Sequence, residues 1–195
     1  MIAIVNYGAG NLPSVKKAFD FLGAEVMVTD RRDSLAAADK IVLPGVGHFS
    51  SLETLSRNGL HEVLLQAAAS KPFLGICLGM QWLFEGSDES AGVAGAGIFP
   101  GVCRQFPASV KSPHVGWNSL QIFPASRLLR GIPQNSFVYY THSYHAPVLP
   151  STTASSEYGS PFSGVVERDN VFGVQFHPEK SGNVGLSILR NFCEV

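Results

Sequence analysis

The sequence predicts an α/β protein with a mostly parallel central sheet flanked by helices and a strand-rich second half. Three observations carry that reading. Short apolar runs alternate with amphipathic stretches through the first hundred residues, the rhythm of a sheet whose crossovers cover both faces. The run Pro72-Phe73-Leu74-Gly75-Ile76 is apolar throughout, as a strand buried on both faces must be. From Ile98 onward the pattern changes to successive β-type segments separated by Pro, Gly and Ser turns.

Residues 2–6 form a short apolar strand, 12–22 an amphipathic helix, 25–29 a second strand and 40–43 a third, which ends in Pro44-Gly45-Val46-Gly47. Residues 51–69 place Leu52, Leu55, Leu60, Val63, Leu64 and Ala67 at roughly helical spacing and lead into the strand before Cys77. Residues 78–84 read as a helix start. The Gly-, Ala-, Ser- and acid-rich stretch 86–97 reads as a loop that follows the 78–84 helix. Strands are expected around 102–106, 118–122, 137–141, 152–156, 164–167 and 171–176. A closing helix, 181–192, offers Val184, Leu186, Ile188, Leu189 and Phe192 for packing. With 195 residues, no internal repeat and no linker, residues 1–195 read as one domain.

The 45% hydrophobic content, 15% charged residues and net charge of −1 give no bias toward nucleic acid or an anionic membrane, so neither is expected as a partner. No apolar run approaches the roughly 18 residues of a membrane span, and a strand begins at the first residues, leaving no room for a leader; a cytoplasmic protein is expected. The three cysteines, 77, 103 and 193, form neither an even disulfide set nor a CxxC metal pattern. Free thiols in a reducing compartment follow, with Cys103 and Cys193 as packing residues and no metal or cofactor.

Cys77 stands apart. In Gly75-Ile76-Cys77-Leu78-Gly79 it occupies a strand-to-helix turn, and glycines two residues to either side permit the backbone to fold sharply enough to expose it. A free cysteine is ordinarily a small buried hydrophobe; this context points instead to a nucleophile. It faces a helix N-terminus that favours thiolate, and the Leu78 N–H is available to an oxyanion. About a hundred residues later His177 closes an apolar strand, and Pro178 stops it. If His177 and Glu179 lie two apart in extended chain, both point to one side, so Glu179 can orient the imidazole that takes the Cys77 proton. The expected triad is Cys77, His177 and Glu179. The Gly45-Val46-Gly47 loop is either a plain strand-to-helix connection or the source of a second oxyanion N–H, from Val46 or Gly47, after a peptide rearrangement. Asn6-Tyr7-Gly8-Ala9-Gly10-Asn11 lacks the spacing and ending of a phosphate loop.

Taken together, Pro44-Gly45-Val46-Gly47, Gly75-Ile76-Cys77-Leu78-Gly79-Met80-Gln81 and Gln175-Phe176-His177-Pro178-Glu179 resemble the class I (triad) glutamine amidotransferases along the whole chain. A narrower resemblance, to the glutaminase subunits of imidazole glycerol phosphate synthase, rests on Asn6 to Asn11, Pro113-His114-Val115-Gly116-Trp117-Asn118, Thr141-His142-Ser143-Tyr144 and Lys180-Ser181. The resemblance implies the class I amidotransferase fold. It also implies hydrolysis of glutamine to glutamate and ammonia through a γ-glutamyl thioester. The ammonia would pass to a (β/α)8-barrel cyclase subunit, in a heterodimer, for histidine biosynthesis. By the same resemblance Gln81 and Glu89 hold the amino acid end of glutamine with backbone from His142, Ser143 and Tyr144, while Asn11, Trp117 and Lys180 face the cyclase and the ammonia exit. Glu89 and Trp117 taken alone would read as a loop acid and a packing residue.

Other classes suit an elbow cysteine with a histidine. A cysteine peptidase would use the same pair on peptide amides, and a non-catalytic descendant would keep the fold without the triad. The His-x-Glu pair, the Gly45-Val46-Gly47 loop and the intact Cys77, His177 and Glu179 disfavour both. Within the family, a subunit serving anthranilate or pyridoxal phosphate synthesis is the near competitor, and the middle and terminal motifs argue against it.

Overall fold

The computed structural model describes residues 1–123 and 126–195. Its strands are β1 (Ile2–Val5), β2 (Val26–Thr29), β3 (Lys40–Gly45), β4 (Phe73–Cys77), β5 (Gly86–Ser87), β6 (Val102–Gln105), β7 (His114–Ser119), β8 (Gln121–Ile122), β9 (Phe137–His142), β10 (Tyr144–His145), β11 (Thr152–Glu157), β12 (Pro161–Arg168) and β13 (Val171–Val174). The helices are α1 (Leu12–Phe21), α2 (Arg32–Ala37), α3 (Glu53–Arg57), α4 (His61–Ser70), α5 (Leu78–Trp82) and α6 (Gly182–Glu194).

The main sheet runs β2-β1-β3-β4-β13-β12-β11-β8. Its first five strands are parallel, and β12, β11 and β8 continue it antiparallel. The central strands β1, β4 and β13 are buried along their whole length, which is why their sequences are unbroken apolar runs. Two apolar layers cover the sheet. On one face Val15, Ala18 and Phe19 of α1 pack with Ile188, Leu189 and Phe192 of α6. On the other lie Leu35, Leu55, Leu64 and Ala67 from α2, α3 and α4, with Met80 and Trp82 of α5. The predicted α/β architecture with both faces covered is the one observed. No helix is long and apolar enough to cross a membrane among the described residues.

Several expectations are corrected. The 51–69 stretch is not one helix: a 3-10 turn at Phe49–Leu52 leads into α3, and the chain breaks at Gly59, whose φ of +63° lets the Leu60 N–H return to the Leu55 carbonyl before α4 starts. The helix α2, six residues long, is too short for periodicity to reveal. The elbow helix ends at Trp82. The 118–122 segment divides between β7, which pairs with β9 in a separate two-stranded sheet, and β8 at the edge of the main sheet. The strand placed at 164–167 extends over Pro161–Arg168, and the 86–97 loop contains β5.

Two features of this fold position the site. The register pairs Gly45 with Cys77 and Val174 with Ile76, so the carboxyl ends of β3, β4 and β13 lie side by side, the edge at which open α/β sheets bind ligands. The β7–β9 pair turns one face inward, with His114, Val138, Tyr140 and His142 buried, and the other outward, with Val115, Trp117 and Phe137 exposed.

Candidate active site

The turn at Cys77 is as tight as its glycines allow. Cys77 has φ +52°, a left-handed backbone that costs a side-chain-bearing residue roughly 1–3 kcal/mol and persists where packing enforces it. A Cβ on Gly75 would stand 2.5 Å from the Gly79 carbonyl oxygen, and one on Gly79 would overlap the Leu43 carbonyl oxygen. Both glycines are therefore required by close backbone approach. Cys77 is 6% exposed and opens on a cavity of about 280 Å³. That cavity is lined by Gly47, Cys77, Leu78, Gln81, Glu89, Pro113, Thr141, His142, Ser143 and Tyr144. The sequence-selected Leu78, Gly47, Gln81, Glu89, His142, Ser143 and Tyr144 thus meet in one place with Cys77. Val46 does not line it; its side chain is exposed beside Gly47, whose φ is +99°. Because α5 has only five residues, few peptide dipoles align at Cys77.

His177 and Glu179 are joined differently from the extended arrangement expected. A 3-10 turn over Pro178–Lys180 brings Glu179 back, and His177 Nδ1–H donates to Glu179 Oε1 at 2.9 Å with both side chains almost fully buried. The carboxylate fixes the imidazole tautomer, leaving Nε2 unpartnered and buried. Burial, the largest influence on His177, opposes its charged form. The Cys77 thiolate and Glu179 outweigh it and raise the pKa to about 10. The sulfur is near enough to act on the protonation of His177, although Nε2 has no hydrogen-bond partner.

Groups that sequence reasoning passed over complete the surroundings. Gln175, fully buried, points Nε2 at Cys77 Sγ from 3.8 Å. Ser181 Oγ accepts the Tyr139 N–H at 2.9 Å and donates to the His177 carbonyl at 2.7 Å, locking the His177 turn to β9. The Tyr7 hydroxyl is buried without a partner, and a Cβ on Gly45 would come within 2.5 Å of it. Burial, then the charge on Cys77, push the Tyr7 phenol up, so it keeps its proton. The glycine-rich Asn6 to Asn11 segment marked the position of Tyr7, but only tertiary packing brings it to the elbow. Glu89 Oε2 accepts the Phe49 N–H at 2.7 Å, which anchors this loop acid at the cavity wall. Cys103 and Cys193 are free, Cys103 fully buried; burial raises both thiols. No cluster of three or more His, Cys, Asp or Glu could hold a metal among the described residues. Of the residues expected to face a partner, Trp117 and Lys180 are exposed and Asn11 is partly so at the start of α1.

A mostly parallel sheet with a strained cysteine elbow beside a His–Glu pair defines a class I glutamine amidotransferase, and the family model described as "Glutamine amidotransferase class-I" matches residues 3–195. The chain is 47% identical to the imidazole glycerol phosphate synthase subunit HisH of Methanocaldococcus jannaschii, with 100% of both chains covered. It is also 47% identical to the subunit of the same name from Methanothermobacter thermautotrophicus, covering 100% of this chain and 98% of that one. Among solved structures, PurLQS from Thermotoga maritima superposes with a TM-score of 0.78 at 20% identity, covering 99% of this chain and 97% of that one. The glutaminase domain of Trypanosoma brucei CTPS superposes with a TM-score of 0.67 at 17% identity, covering 99% and 93%. Those structural likenesses show the fold alone. The chain belongs to the class I glutamine amidotransferase family, in the branch of the imidazole glycerol phosphate synthase HisH subunits.

Proposed function

We propose that residues 1–195 act as one amidotransferase domain that hydrolyses glutamine to glutamate and ammonia and delivers the ammonia to a (β/α)8-barrel cyclase subunit making imidazole glycerol phosphate in histidine biosynthesis. The observation that carries this reading is the strained Cys77 opening on one cavity with Gln81, Glu89 and residues 142–144, beside a buried His177–Glu179 pair. The Cys77 thiolate attacks the side-chain carboxamide carbon. The oxyanion formed is met by the Leu78 N–H and by an N–H of the Val46-Gly47 segment. Protonated His177 gives its Nε2 proton to the leaving nitrogen, ammonia departs, and a γ-glutamyl thioester remains. His177 then takes a proton from water, whose oxygen attacks the thioester; glutamate leaves and the thiolate returns.

Hydrogen-bond polarity supports a free amino acid as substrate. Both Gln81 Nε2 hydrogens are engaged, by the Tyr144 carbonyl at 2.8 Å and by Gln175 Oε1 at 3.2 Å, so Gln81 has only an acceptor oxygen left to offer. With the Glu89 carboxylate it suits the α-ammonium of glutamine. A cavity of about 280 Å³ holds one amino acid rather than a peptide chain. The exposed Val115, Trp117 and Phe137 form an apolar face of the kind partners cover, continued by Tyr139, whose ring lies 5.8 Å from Lys180 Nζ; Asn11, half-exposed before α1, is proposed to face the same partner. Three free thiols fit a reducing cytoplasm.

A glutaminase assay with and without a purified barrel cyclase and its nucleotide ligand tests the reading. The isolated chain is expected to turn over glutamine slowly and the complex faster. Equal rates would remove the coupling. Cys77→Ala should lower turnover about 10⁴-fold or more while the variant still binds the cyclase; substantial turnover would sink the mechanism.

A further inference from the structure

Resting on the reading of Cys77 as nucleophile, we propose that Gln175 holds its sulfur: the Gln175 carboxamide N–H donates to Cys77 Sγ, with a polarity imposed by the Tyr144 carbonyl through Gln81. A carbonyl oxygen only accepts, so the amide group of Gln81 that meets Tyr144 O at 2.8 Å is its nitrogen. The second hydrogen on that nitrogen points to Gln175, so the Gln175 atom 3.2 Å away is the oxygen. The Gln175 nitrogen is left facing Cys77 Sγ at 3.8 Å, a normal reach for the larger sulfur atom. Turning Gln81 over would set its oxygen against the Tyr144 and Gln175 oxygens, and turning Gln175 alone would set nitrogen against nitrogen and its oxygen against the sulfur. With Gln175 fully buried and Gln81 4% exposed, the arrangement is insulated from water that could offer an alternative.

The anchor is itself held from behind. The Tyr144 carbonyl also receives His142 Nδ1–H at 2.8 Å, which uses its second lone pair, and His142 Nε2 accepts from His114 Nδ1–H at 3.3 Å. His114 is stacked on Tyr158 at 4.0 Å and on Tyr140 at 5.0 Å. The main-chain N–H of Gln175 is bound to the Gly164 carbonyl at 2.9 Å, so its side chain works from a fixed base. The sulfur thus has a donor in place while His177 Nε2 is still unpartnered, and because Gln81 also lines the substrate cavity, the residue that meets glutamine sets the orientation of the residue that meets the nucleophile. The titratable groups about the sulfur are His177, backed by Glu179, and Tyr7, with Glu89 and His142 on the wall of the same cavity.

A donor to sulfur favours thiolate, so the test reads thiolate directly. The chain is treated with iodoacetamide between pH 5 and 10 without glutamine, and the S-alkylation of Cys77, in which the thiolate displaces iodide, is followed by mass spectrometry of the Cys77 peptide. Cys103 and Cys193 are thereby read separately. Gln175→Met, which keeps the bulk and loses the donor, is expected to move the midpoint of the profile up by about one pH unit and slow alkylation at pH 7 about tenfold. Gln175→Glu, of the same shape but anionic, should move it further. Gln81→Met, which frees the Gln175 amide to turn, should move it the same way by less. A midpoint unchanged in Gln175→Glu and Gln81→Met, with cooperative thermal unfolding retained, overturns the proposal even if Gln175→Met fails to fold. Packing alone would alter melting, not the midpoint. Because the assay needs neither glutamine nor cyclase, its failure is separate from failure of the glutaminase reading, which Cys77→Ala turnover decides.

Discussion

The main-chain N–H of His177 donates to the carbonyl of Tyr139 at 2.9 Å, so the histidine of the proposed triad is tied to a strand whose next-door surface faces outward. Tyr139 pairs with Trp117 in the β7–β9 ladder, their rings 6.0 Å apart edge to face, and Trp117 is 55% exposed.

Trp117→Ala is expected to weaken binding of a barrel cyclase about tenfold or more, as for an aromatic anchor near the centre of an interface. Its own fold should stay within ~0.5 kcal/mol, because an exposed ring contributes little to the core. Calorimetric titration with the cyclase, beside a thermal melt of the isolated chain, checks both. Unchanged affinity would place the interface elsewhere.

The strain at Cys77 has a stability signature distinct from its chemistry. Since the residue sits at φ +52°, Cys77→Gly should be more stable than Cys77→Ala by about 1 kcal/mol, the reverse of the usual order inside regular structure. Urea unfolding of the two variants gives the comparison. Greater stability of the alanine form would mean that the turn relaxes when the sulfur leaves.

Gly79→Ala should cost at least ~2 kcal/mol, because the new methyl would overlap the Leu43 carbonyl oxygen on the neighbouring strand and neither backbone can yield. Gly92→Ala is the control: its added Cβ meets nothing within 4 Å. Denaturant midpoints for both should differ clearly, and equal midpoints would show that the elbow tolerates a wider turn.

Stability should peak near pH 6.5. His177 binds its proton more tightly folded, at about 10, than at its ordinary 6.5, so its contribution is full below 6.5 and is lost as pH rises toward 10. Burial depresses His142 to about 3 and His114 to about 4, so theirs is full above 6.5 and is lost as pH falls through those values. Urea midpoints across pH 4 to 10 should trace both limbs. Cys77→Ala should flatten the alkaline limb, since the thiolate that supports the imidazolium is gone; an unaltered limb would assign it to other groups.

Much of this site was legible because it is written locally. Glycines at 75 and 79 mark a sharp turn whatever lies around them, and an unbroken apolar strand before Cys77 already implies burial on both faces. The short reach of such signals explains what was missed. The six residues of α2 are too few to show a period, and Gly59 interrupts a stretch whose leucines still recur at helical spacing. The turn that returns Glu179 to His177 looked extended because Pro178 can begin a 3-10 turn as readily as end a strand. Gln175, Tyr7, Tyr139 and His114 carry no local mark of their roles.

By itself the sequence determined the α/β class and the elbow, and it singled out the thiol, histidine and glutamate of the proposed triad, since spacing and residue type suffice for these. Only the tertiary structure decided which groups surround the sulfur and how their hydrogen bonds point. The pairing of Gly45 with Cys77, the reach of Gln175 to Sγ and the bond from His177 to Tyr139 depend on strand register. Register is fixed by burial of whole strand faces, not by any short stretch of chain.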